Sequence, residues 1–235
     1  MDLSICSRIL YKNEACVVVN KLAGEAMEGA KDGTGDLPKK IKDFLNIDYI
    51  EAAHRLDVPV TGCSLFALNA SSLKYLNSLF APDTSLNKVK LINKKYWVIT
   101  EKPAKKINDK AELVHWIETN TKINKSFAYD SEKKGSRKAV LNYRITGEGQ
   151  NYLFIEVELI TGRRHQIRSQ FAAIGLYIKG DLKYGAKRSE KNGGIRLHSR
   201  MLSFPNPINK NEIINVSCYP ALIDNLWNEF IKTEN

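Results

Sequence analysis

The sequence predicts a mixed α+β fold, in which a largely antiparallel central sheet is flanked by helices and loops. Strand candidates outnumber helix candidates along the chain, and the two kinds of element do not alternate strictly. Strict alternation is typical of doubly wound parallel proteins, so this order favours the α+β class. The clearest strand is 151–160, where apolar residues such as Val157 alternate with polar ones such as Glu156, as a half-buried strand requires.

The remaining elements follow from shorter patterns. Residues 8–20 end in three consecutive valines, and β-branched residues favour strands. Apolar residues at helical spacing indicate four amphipathic helices, one of them with a serine as its candidate N-cap. The further strand candidates are 63–69, 94–100 and 139–146, and the helix candidates are 37–45, the segment from Ser71 or Ser72 to Phe80, 165–175 and 221–232.

The polar stretch 103–136 shows the weakest pattern of regular structure in the chain. We expect a long excursion there, which would also mark the boundary if the chain forms two lobes. The length of 235 residues otherwise suits one large domain spanning 1–235.

Charge is the main signal in the composition. The chain carries 36 lysines and arginines against 26 aspartates and glutamates, which gives a net charge of +10. Such an excess favours an anionic partner, with nucleic acid as the first candidate, although charge alone fits a basic protein without a special partner equally well. The basic residues are clustered, which favours RNA or DNA; the clusters are Lys133, Lys134, Arg137 and Lys138, then Arg163, Arg164 and Arg168, then Lys183, Lys187, Arg188 and Lys191.

Several classes of protein are disfavoured. No run approaches the roughly 18 apolar residues of a membrane span, and the N-terminal residues lack the pattern of a secretory signal, so we expect a cytoplasmic protein. The four cysteines form no CxxC pair and lack zinc-ligand spacing, and the sequence has no Gly-rich nucleotide loop. We therefore expect buried free thiols, no metal site and no cofactor.

One loop carries a candidate catalytic residue. The segment 54–62 reads HRLDVPVTG and comes directly before the strand predicted at 63–69, which places Asp57 on a loop beside a buried strand. An aspartate in such a position is a plausible catalytic carboxylate. It is equally a turn residue that bonds its own backbone, so loop chemistry alone leaves both interpretations open.

Six further segments of the chain, like the HRLD loop, match short sequence motifs of one protein family. Together they resemble, in family order, the signatures of the RluA-type pseudouridine synthases. One such motif would be weak support, whereas several in order are specific. The matching segments are ILYKNEACVVVNKLAG at 9–24, HRLD at 54–57, KKY at 94–96, GSRKA at 135–139, LITGRRHQIR at 159–168, GLYIKGDLKYGA at 175–186 and LHSRMLSFPNP at 197–207.

The resemblance implies a pseudouridine-synthase-like catalytic domain that isomerises uridine to pseudouridine in structured RNA, either ribosomal or transfer RNA, without metal or cofactor. It implies that Asp57 is the essential carboxylate and acts on a uridine flipped out of its stack. Tyr96 matches the aromatic residue that packs against the target base, and Arg168 matches the basic residue that pairs with the catalytic carboxylate. The other residues expected to contact RNA are Arg55, Arg163, Arg164, His165 and Gln166, of which His165 and Gln166 either orient the Arg168 loop or contact phosphate.

The chain departs from the family pattern at three places. Val60-Thr61 stands where the family has Thr-Ser, Leu22 stands where it has proline, and Gln170 stands where a histidine is common. These changes concern support of the Asp57 loop and choice of target. We expect no separate N-terminal RNA-binding domain, and we expect a monomer.

Two other functions fit parts of the sequence. An RNA-binding protein or chaperone that keeps the fold without turnover would explain the charge. It would not explain why Asp57, Tyr96 and Arg168 are all present. A metal-dependent nuclease could use Asp57, Asp181 and histidines, but the sequence has no HxH, DxD or comparable ligand cluster.

Overall fold

The computed structural model describes residues 3–29, 36–80 and 91–233. The chain divides into two compact units, and the predicted α+β class is confirmed. The first unit comprises Met1–Lys94 and His198–Ile223, and the second comprises Lys95–Leu197 and Asp224–Asn235.

Strands and helices follow one another in a mixed order. In chain order they are α1 (Ile5–Arg8), β1 (Ile9–Lys12), β2 (Cys16–Lys21), α2 (Leu37–Leu45), β3 (Glu51–Ala52), β4 (Thr61–Ala67), α3 (Ala70–Phe80), β5 (Asn93–Glu101), β6 (Lys110–Asn120), β7 (Lys125–Tyr129), β8 (Arg137–Glu148), β9 (Tyr152–Leu159), α4 (Gln166–Ala173), a 3₁₀ helix (Leu182–Tyr184), β10 (Leu197–Pro205), β11 (Ile213–Ser217) and α5 (Asn225–Lys232).

The sheet of the first unit has the spatial order β1–β2–β4–β10, with β3 paired to β4 and β11 paired to β10. The fully buried β2 runs antiparallel to β4, from Cys16 opposite Ala67 to Lys21 opposite Gly62. β4 and β10 are parallel, with Gly62 opposite Ser199. Gly62 has a φ of 110°, and a Cβ there would lie 2.3 Å from the Ser199 carbonyl oxygen. Only glycine therefore allows the two strands to approach at this point.

The sheet of the second unit has the order β5–β9–β8–β6–β7, and all neighbouring strands are antiparallel. Aromatic residues of α5 pack on the β5 side of this sheet, where the centroids of Trp97 and Phe230 are 4.6 Å apart. α4 packs against β6 and β7, and Gln170 of α4 donates a hydrogen bond to the Leu113 carbonyl of β6 at 3.1 Å.

The predicted helices are confirmed, with small differences at their ends. The helix 37–45 has the predicted bounds, because Asp36 caps its first turn by accepting a hydrogen bond from the Lys39 N–H. The helix expected to be capped by Ser71 or Ser72 begins at Ala70, since Asn69 accepts the Ser72 N–H. The helices predicted at 165–175 and 221–232 are shorter and span Gln166–Ala173 and Asn225–Lys232.

The predicted strands 63–69, 94–100, 139–146 and 151–160 are present as β4, β5, β8 and β9, with small differences at their ends, whereas other strands were not predicted. The strand predicted over 8–20 is two strands, because the Asn13 side chain accepts hydrogen bonds from two main-chain N–H groups and closes a turn. The stretch 103–136, expected to be irregular, contains β6 and β7 and lies inside the second unit. The strand predicted at 63–69 begins two residues earlier, at Thr61.

Three of the four cysteines are buried free thiols, as predicted, whereas Cys6 is exposed. Within the parts of the chain that the structure describes, no helix is long and apolar enough to cross a membrane. The same residues include no group of three or more histidine, cysteine, aspartate or glutamate side chains arranged to hold a metal ion.

Candidate active site

Asp57 lies on the loop between β3 and β4 in the first unit, and the residue is half-buried. The Val60 N–H donates a hydrogen bond to the Asp57 carbonyl at 2.9 Å, which closes a tight turn. The Gly24 N–H donates to the Val58 carbonyl at 2.9 Å, so this turn is also bonded to the segment that follows β2. The main chain around Asp57 is therefore fixed on two sides.

Lys21 fixes the same turn from the interior. It is fully buried at the end of β2. Its ammonium group lies 2.7 Å from the Val60 carbonyl, 3.0 Å from the Leu22 and Val58 carbonyls and 3.3 Å from the Asp57 carbonyl. An ammonium group has three donors and no acceptor, so it suits a cage of carbonyl oxygens. These bonds use the main chain of Asp57 and not its carboxylate.

The charge of Lys21 is sensitive to pH. Burial lowers the pKa of Lys21 to about 7, and the negative charges of Glu25 and Asp57 oppose this shift. An exposed lysine titrates well above neutral pH. Only the ammonium form offers three N–H donors to the surrounding carbonyls, so the turn observed here belongs to the protonated lysine.

A buried ion pair supports the segment that follows β2. Arg8 donates two hydrogen bonds to the Glu25 carboxylate, at 2.8 and 3.0 Å, and one to the Asn20 carbonyl at 3.1 Å. Glu25 also accepts from the Leu22 N–H and from Lys40. Burial alone would raise the pKa of Glu25, but its hydrogen bonds from Arg8, Leu22 and Lys40 lower it overall. The segment bonded to the Asp57 turn is thus itself held in place.

His54 supports the loop as a neutral side chain. Its Nε2 accepts the Leu65 N–H at 3.1 Å, and its ring stacks on Phe80 with centroids 5.3 Å apart. Burial lowers the pKa of His54 to about 3, and the positive charge of Lys94 adds to this effect. The sequence-based interpretation of His54 as a support of the loop agrees with these contacts.

Thr61, one of the departures from the family pattern, is bonded to a second neutral histidine. Its hydroxyl lies 2.8 Å from His198 Nδ1, while His198 Nε2 lies 3.0 Å from the Cys218 carbonyl. A carbonyl oxygen only accepts, so Nε2 donates to it and Nδ1 accepts from the Thr61 hydroxyl. Burial lowers the pKa of His198 to about 4. The end of the loop is therefore tied to β10.

Arg55 lies on the surface of the first unit. Its guanidinium is 3.4 Å from the Glu28 carboxylate, and both side chains are mostly exposed. Such a pair is screened by solvent and constrains the arginine only weakly. The predicted contact of Arg55 with RNA stays a prediction.

In the second unit, Arg168 lies in α4 and is only 5% exposed. Its Nε and Nη2 donate to the two carboxylate oxygens of Asp181 at 2.7 and 2.8 Å, which makes a bidentate pair. Its guanidinium carbon lies 4.8 Å from the centre of the Tyr184 ring. A buried guanidinium is costly unless it is paired and hydrogen-bonded. Asp181 and Tyr184 therefore fix the position of this charge.

The hydroxyl of Tyr184 joins two further segments to Arg168. It accepts a hydrogen bond from the Ser126 N–H at 2.8 Å and lies 2.8 Å from His165 Nδ1. His165 is buried and has a φ of 51°, a left-handed conformation directly before α4. Since the hydroxyl accepts from Ser126, its own proton is available for His165, which then accepts at Nδ1. His165 thus helps to orient the residues around Arg168.

Gln166 ties together the turn before α4. Its Oε1 accepts from the Thr161 hydroxyl at 2.8 Å and from the Arg163 N–H at 2.9 Å, and its Nε2 donates to the Val140 carbonyl at 3.0 Å. Gln166 is buried, whereas Arg163 is half-buried and Arg164 is exposed. The contacts of these three residues with RNA stay predictions.

Tyr96 lies on β5 opposite Val157 and is 5% exposed. Asp57 belongs to the first unit, whereas Tyr96 and Arg168 belong to the second. The stacking role of Tyr96 and the pairing of Arg168 with Asp57 therefore stay predictions. What the second unit does bring together is the cluster of Arg168, Asp181, Tyr184 and His165.

Four residues of these networks were missed from the sequence. Lys21 was noted only as part of a motif match, and Glu25 was not noted. Asp181 was considered only as a ligand in the nuclease alternative, and Tyr184 received no role. The sequence offered one signal for these supports. Lys21 follows closely on the apolar run that begins at Val17, where a charged residue is unexpected.

The sequence model of one protein family, described as RNA pseudouridylate synthase, matches residues 15–173, which is more than half of the chain. The chain belongs to the RNA pseudouridylate synthase family.

Relatives in this family are distant and differ in length. The chain is 29% identical over 196 residues to RNA pseudouridine synthase 4, mitochondrial, of Arabidopsis thaliana, which covers 77% of this chain and 41% of that protein. It is 29% identical over 184 residues to ribosomal large subunit pseudouridine synthase C of Rickettsia conorii, and the match covers 76% of this chain and 56% of that protein. It is 27% identical to tRNA pseudouridine synthase C of Haemophilus ducreyi, and the match covers 93% of this chain and 92% of that protein. The chain thus spans about half the length of the first two.

Solved pseudouridylate synthase structures share the fold. Human RNA pseudouridylate synthase domain containing 4 superposes with a TM-score of 0.71 at 21% identity, covering 97% of this chain and 93% of that chain. Human RNA pseudouridylate synthase domain containing 1 superposes with a TM-score of 0.67 at 19% identity, covering 96% of this chain and 86% of that chain. The family predicted from the HRLD loop and its companion motifs is confirmed.

Proposed function

We propose that this protein isomerises uridine to pseudouridine in RNA and that Asp57 is the essential carboxylate. The observation that carries the proposal is the turn at Asp57 in a pseudouridylate synthase chain. Lys21 and Gly24 hold the main chain of this turn, and the half-buried Asp57 is presented from a fixed support. A reacting group held in one geometry saves the entropy of positioning it during the reaction.

The reaction needs one carboxylate and no change of oxidation state. The N1–C1′ glycosidic bond breaks, the uracil turns, C5 bonds to C1′, and the proton on C5 leaves as N1 gains one. Asp57 would act either as a nucleophile or as a base beside the sugar. The target uridine must leave its stack before the carboxylate can reach it, so we propose that it is flipped out.

For Tyr96 and Arg168 we keep the roles that the family resemblance implies. Tyr96 would pack against the target uracil, and Arg168 would supply a fixed positive charge to the catalytic carboxylate. The bidentate pair with Asp181 and the ring of Tyr184 support the second role, because they hold the guanidinium in one orientation.

The substrate we propose is structured ribosomal or transfer RNA. One relative is named for the large ribosomal subunit and another for tRNA. The net charge of +10 favours an RNA partner of either kind. Recognition of RNA depends on loops and unstacked bases, so the particular uridine follows from surface shape more than from a short motif.

Pseudouridine mapping in total RNA tests this function and identifies the target. We would map pseudouridine in RNA from four kinds of cells. The first have the gene and the second lack it; the third and fourth lack it but carry a plasmid for the parent protein or for Asp57→Asn. We expect at least one pseudouridine to disappear with the gene, to return with the parent and to stay absent with the variant. Identical maps in all four samples, with all proteins expressed, would contradict the proposal.

A further inference from the structure

β7 is the last strand in the sheet of the second unit, and one of its faces carries a mixture of cationic and aromatic side chains. Lys125, Phe127 and Tyr129 are two residues apart and share this face. Phe127 is 37% exposed. Tyr129 is half-buried, so both rings are accessible in part to a stacking base.

Each ring on this face lies next to an ammonium group. Lys125 Nζ is 5.7 Å from the Phe127 ring centre and 5.2 Å from that of Tyr184. Lys133 Nζ is 3.6 Å from the Tyr129 ring centre. A base that stacks on such a ring would bring its phosphate close to a positive charge.

Two more cations converge at the beginning of β7. Asn124 has a φ of 49° at the tip of the β6–β7 hairpin. Its side-chain oxygen accepts from Arg164 at 2.6 Å, and its main-chain carbonyl accepts from Lys183 at 3.0 Å. Arg164 and Lys183 are both exposed. The hairpin tip is therefore bonded to the loop that leads into α4.

The charge balance of this region favours an anionic partner. Segment 110–144 contains eight lysines and arginines against four aspartates and glutamates. Two of the acidic side chains have partners nearby: Glu118 lies 3.5 Å from the Tyr129 hydroxyl, and Asp130 lies 3.6 Å from His115. The segment as a whole therefore carries a net charge of +4, which favours an anionic partner.

We propose that this face of β7 is a second RNA-binding surface, which takes single-stranded RNA outside the reacting nucleotide. The proposal rests on the proposed function only in that RNA is the substrate. The β7 surface would stack bases on its rings and neutralise phosphates with its cations, a combination that binds single strands without strong sequence preference. The β7 surface consists of Lys125, Phe127, Tyr129, Lys133, Arg164 and Lys183.

Protection of a sheet edge does not explain the same residues. Lysines on an edge strand discourage pairing with other strands, but the exposed ring of Phe127 would favour it. The Ser126 N–H of β7 already donates to the Tyr184 hydroxyl, so that donor is not free for an added strand. RNA therefore fits this face better than a strand of a partner protein.

The test uses the full chain and a single-stranded oligocytidylate, which contains no uridine to modify. Phe127→Ala with Tyr129→Ala should weaken binding at least about thirtyfold, as loss of two stacking rings predicts. A second variant, Phe127→Leu with Tyr129→Leu, keeps the apolar volume and should also weaken binding. Tyr75→Ala is the matched control, because Lys210 lies 5.0 Å from the Tyr75 ring in the first unit. Its affinity should match that of the parent.

The slope of log affinity against log salt gives an independent readout. Lys125→Ala with Lys133→Ala should reduce this slope by about 0.7 for each phosphate that the variant no longer neutralises, whereas Lys210→Ala should leave it unchanged. Ultraviolet crosslinking of the unmodified protein to the same RNA should label the peptide that carries Phe127 and Tyr129.

The outcomes separate this surface from the proposed function, which is read by tritium release from RNA labelled at uridine C5. Unchanged affinity and slope in the folded β7 variants, with crosslinks elsewhere, would overturn the β7 surface even if the parent releases tritium. Weakened binding in those variants would support the surface even if no RNA releases tritium, which would contradict only the proposed function. A parent that binds no single-stranded RNA would also overturn the surface and would leave a protein partner to be sought.

Discussion

The ammonium of Lys21 donates a hydrogen bond to the Val60 carbonyl at 2.7 Å, so a buried charge holds the turn that carries Asp57. The same group also reaches the carbonyls of Asp57 and Val58. Lys21 is thus a positioning residue in this account, because it acts on the main chain of the turn. Its role can be separated from that of the carboxylate.

Lys21→Met should release the turn while keeping an apolar stem of similar length. Four carbonyls would lose the ammonium donor, and those of Asp57 and Val58 would keep only their main-chain donors, so we expect the free energy of unfolding to fall by about 1–3 kcal/mol. Misplacement of Asp57 should slow single-turnover tritium release about a hundredfold. RNA affinity should stay within a few-fold of the parent. Denaturant unfolding, tritium release and RNA titration measure these three quantities.

The control for Lys21→Met is Lys12→Met, which removes an exposed lysine from the neighbouring strand β1. It should leave unfolding and tritium release unchanged. Parental tritium release in a folded Lys21→Met protein would show that the carbonyl cage does not position Asp57.

Stability should fall in mild acid because the half-buried His54 and the fully buried His198 are neutral side chains in the folded protein. Their pKa values are about 3 and about 4 in the folded protein, against about 6.5 in an unfolded chain. Between these values the unfolded chain binds protons that the folded protein does not, so the stability that these two histidines contribute is complete above about pH 6.5 and is lost as the pH falls. Each histidine contributes a slope of up to about 1.4 kcal/mol per pH unit.

His198→Gln isolates one of these two contributions. Urea unfolding between pH 7 and pH 5 should show a shallower loss of stability in the variant than in the parent, because one titrating group is gone. The carboxylates are the same in both proteins and cancel in the comparison. An equal slope in the two proteins would mean that His198 does not stay neutral when the protein folds.

Asp181→Asn should destabilise the protein, because it removes the carboxylate that pairs with the buried Arg168. Removal of one partner from a buried ion pair leaves an uncompensated charge, which typically costs about 3–5 kcal/mol of stability. Tyr184→Phe keeps the ring beside Arg168 but removes the bonds to Ser126 and His165, and should cost about 1–2 kcal/mol. Tritium release should fall in both variants.

Tyr152→Phe is the matched control for Tyr184→Phe, since it removes a hydroxyl from a half-exposed ring on β9. We expect parental stability and turnover from it. If Tyr184→Phe and Tyr152→Phe behave alike, the Tyr184 hydroxyl has no part in holding the residues around Arg168.

The accuracy of the sequence-based fold prediction followed the strength of local signals. The helix 37–45 was predicted from its apolar face alone, and its observed bounds agree because Asp36 caps its first turn and a proline follows there. The strands in 103–136 were missed because they bury polar side chains, His115 in β6 and Ser126 in β7, while Phe127 is exposed. Apolar and polar residues therefore do not alternate there in the way from which half-buried strands are recognised.

The candidate site residues were located from sequence motifs. The residues that hold them in position could not be located in this way. Asp57, Tyr96 and Arg168 were singled out by resemblance, since each falls in a recognisable segment. The pair of Arg168 and Asp181 joins two segments whose approach depends on the fold. The bonds of Lys21 are made to main-chain carbonyls, which carry no signature in the side chains of the sequence.

Single-turnover tritium release by Asp57→Asn, from RNA labelled at uridine C5, tests the central claim most directly. The amide keeps the shape of the side chain but is neither a nucleophile nor a base, so we expect release to fall at least about a thousandfold. RNA affinity and unfolding should remain close to those of the parent. Asp43→Asn, the same change at an exposed position of α2, should retain full activity. Tritium release by Asp57→Asn near the parental rate would contradict the claim that Asp57 is the essential carboxylate.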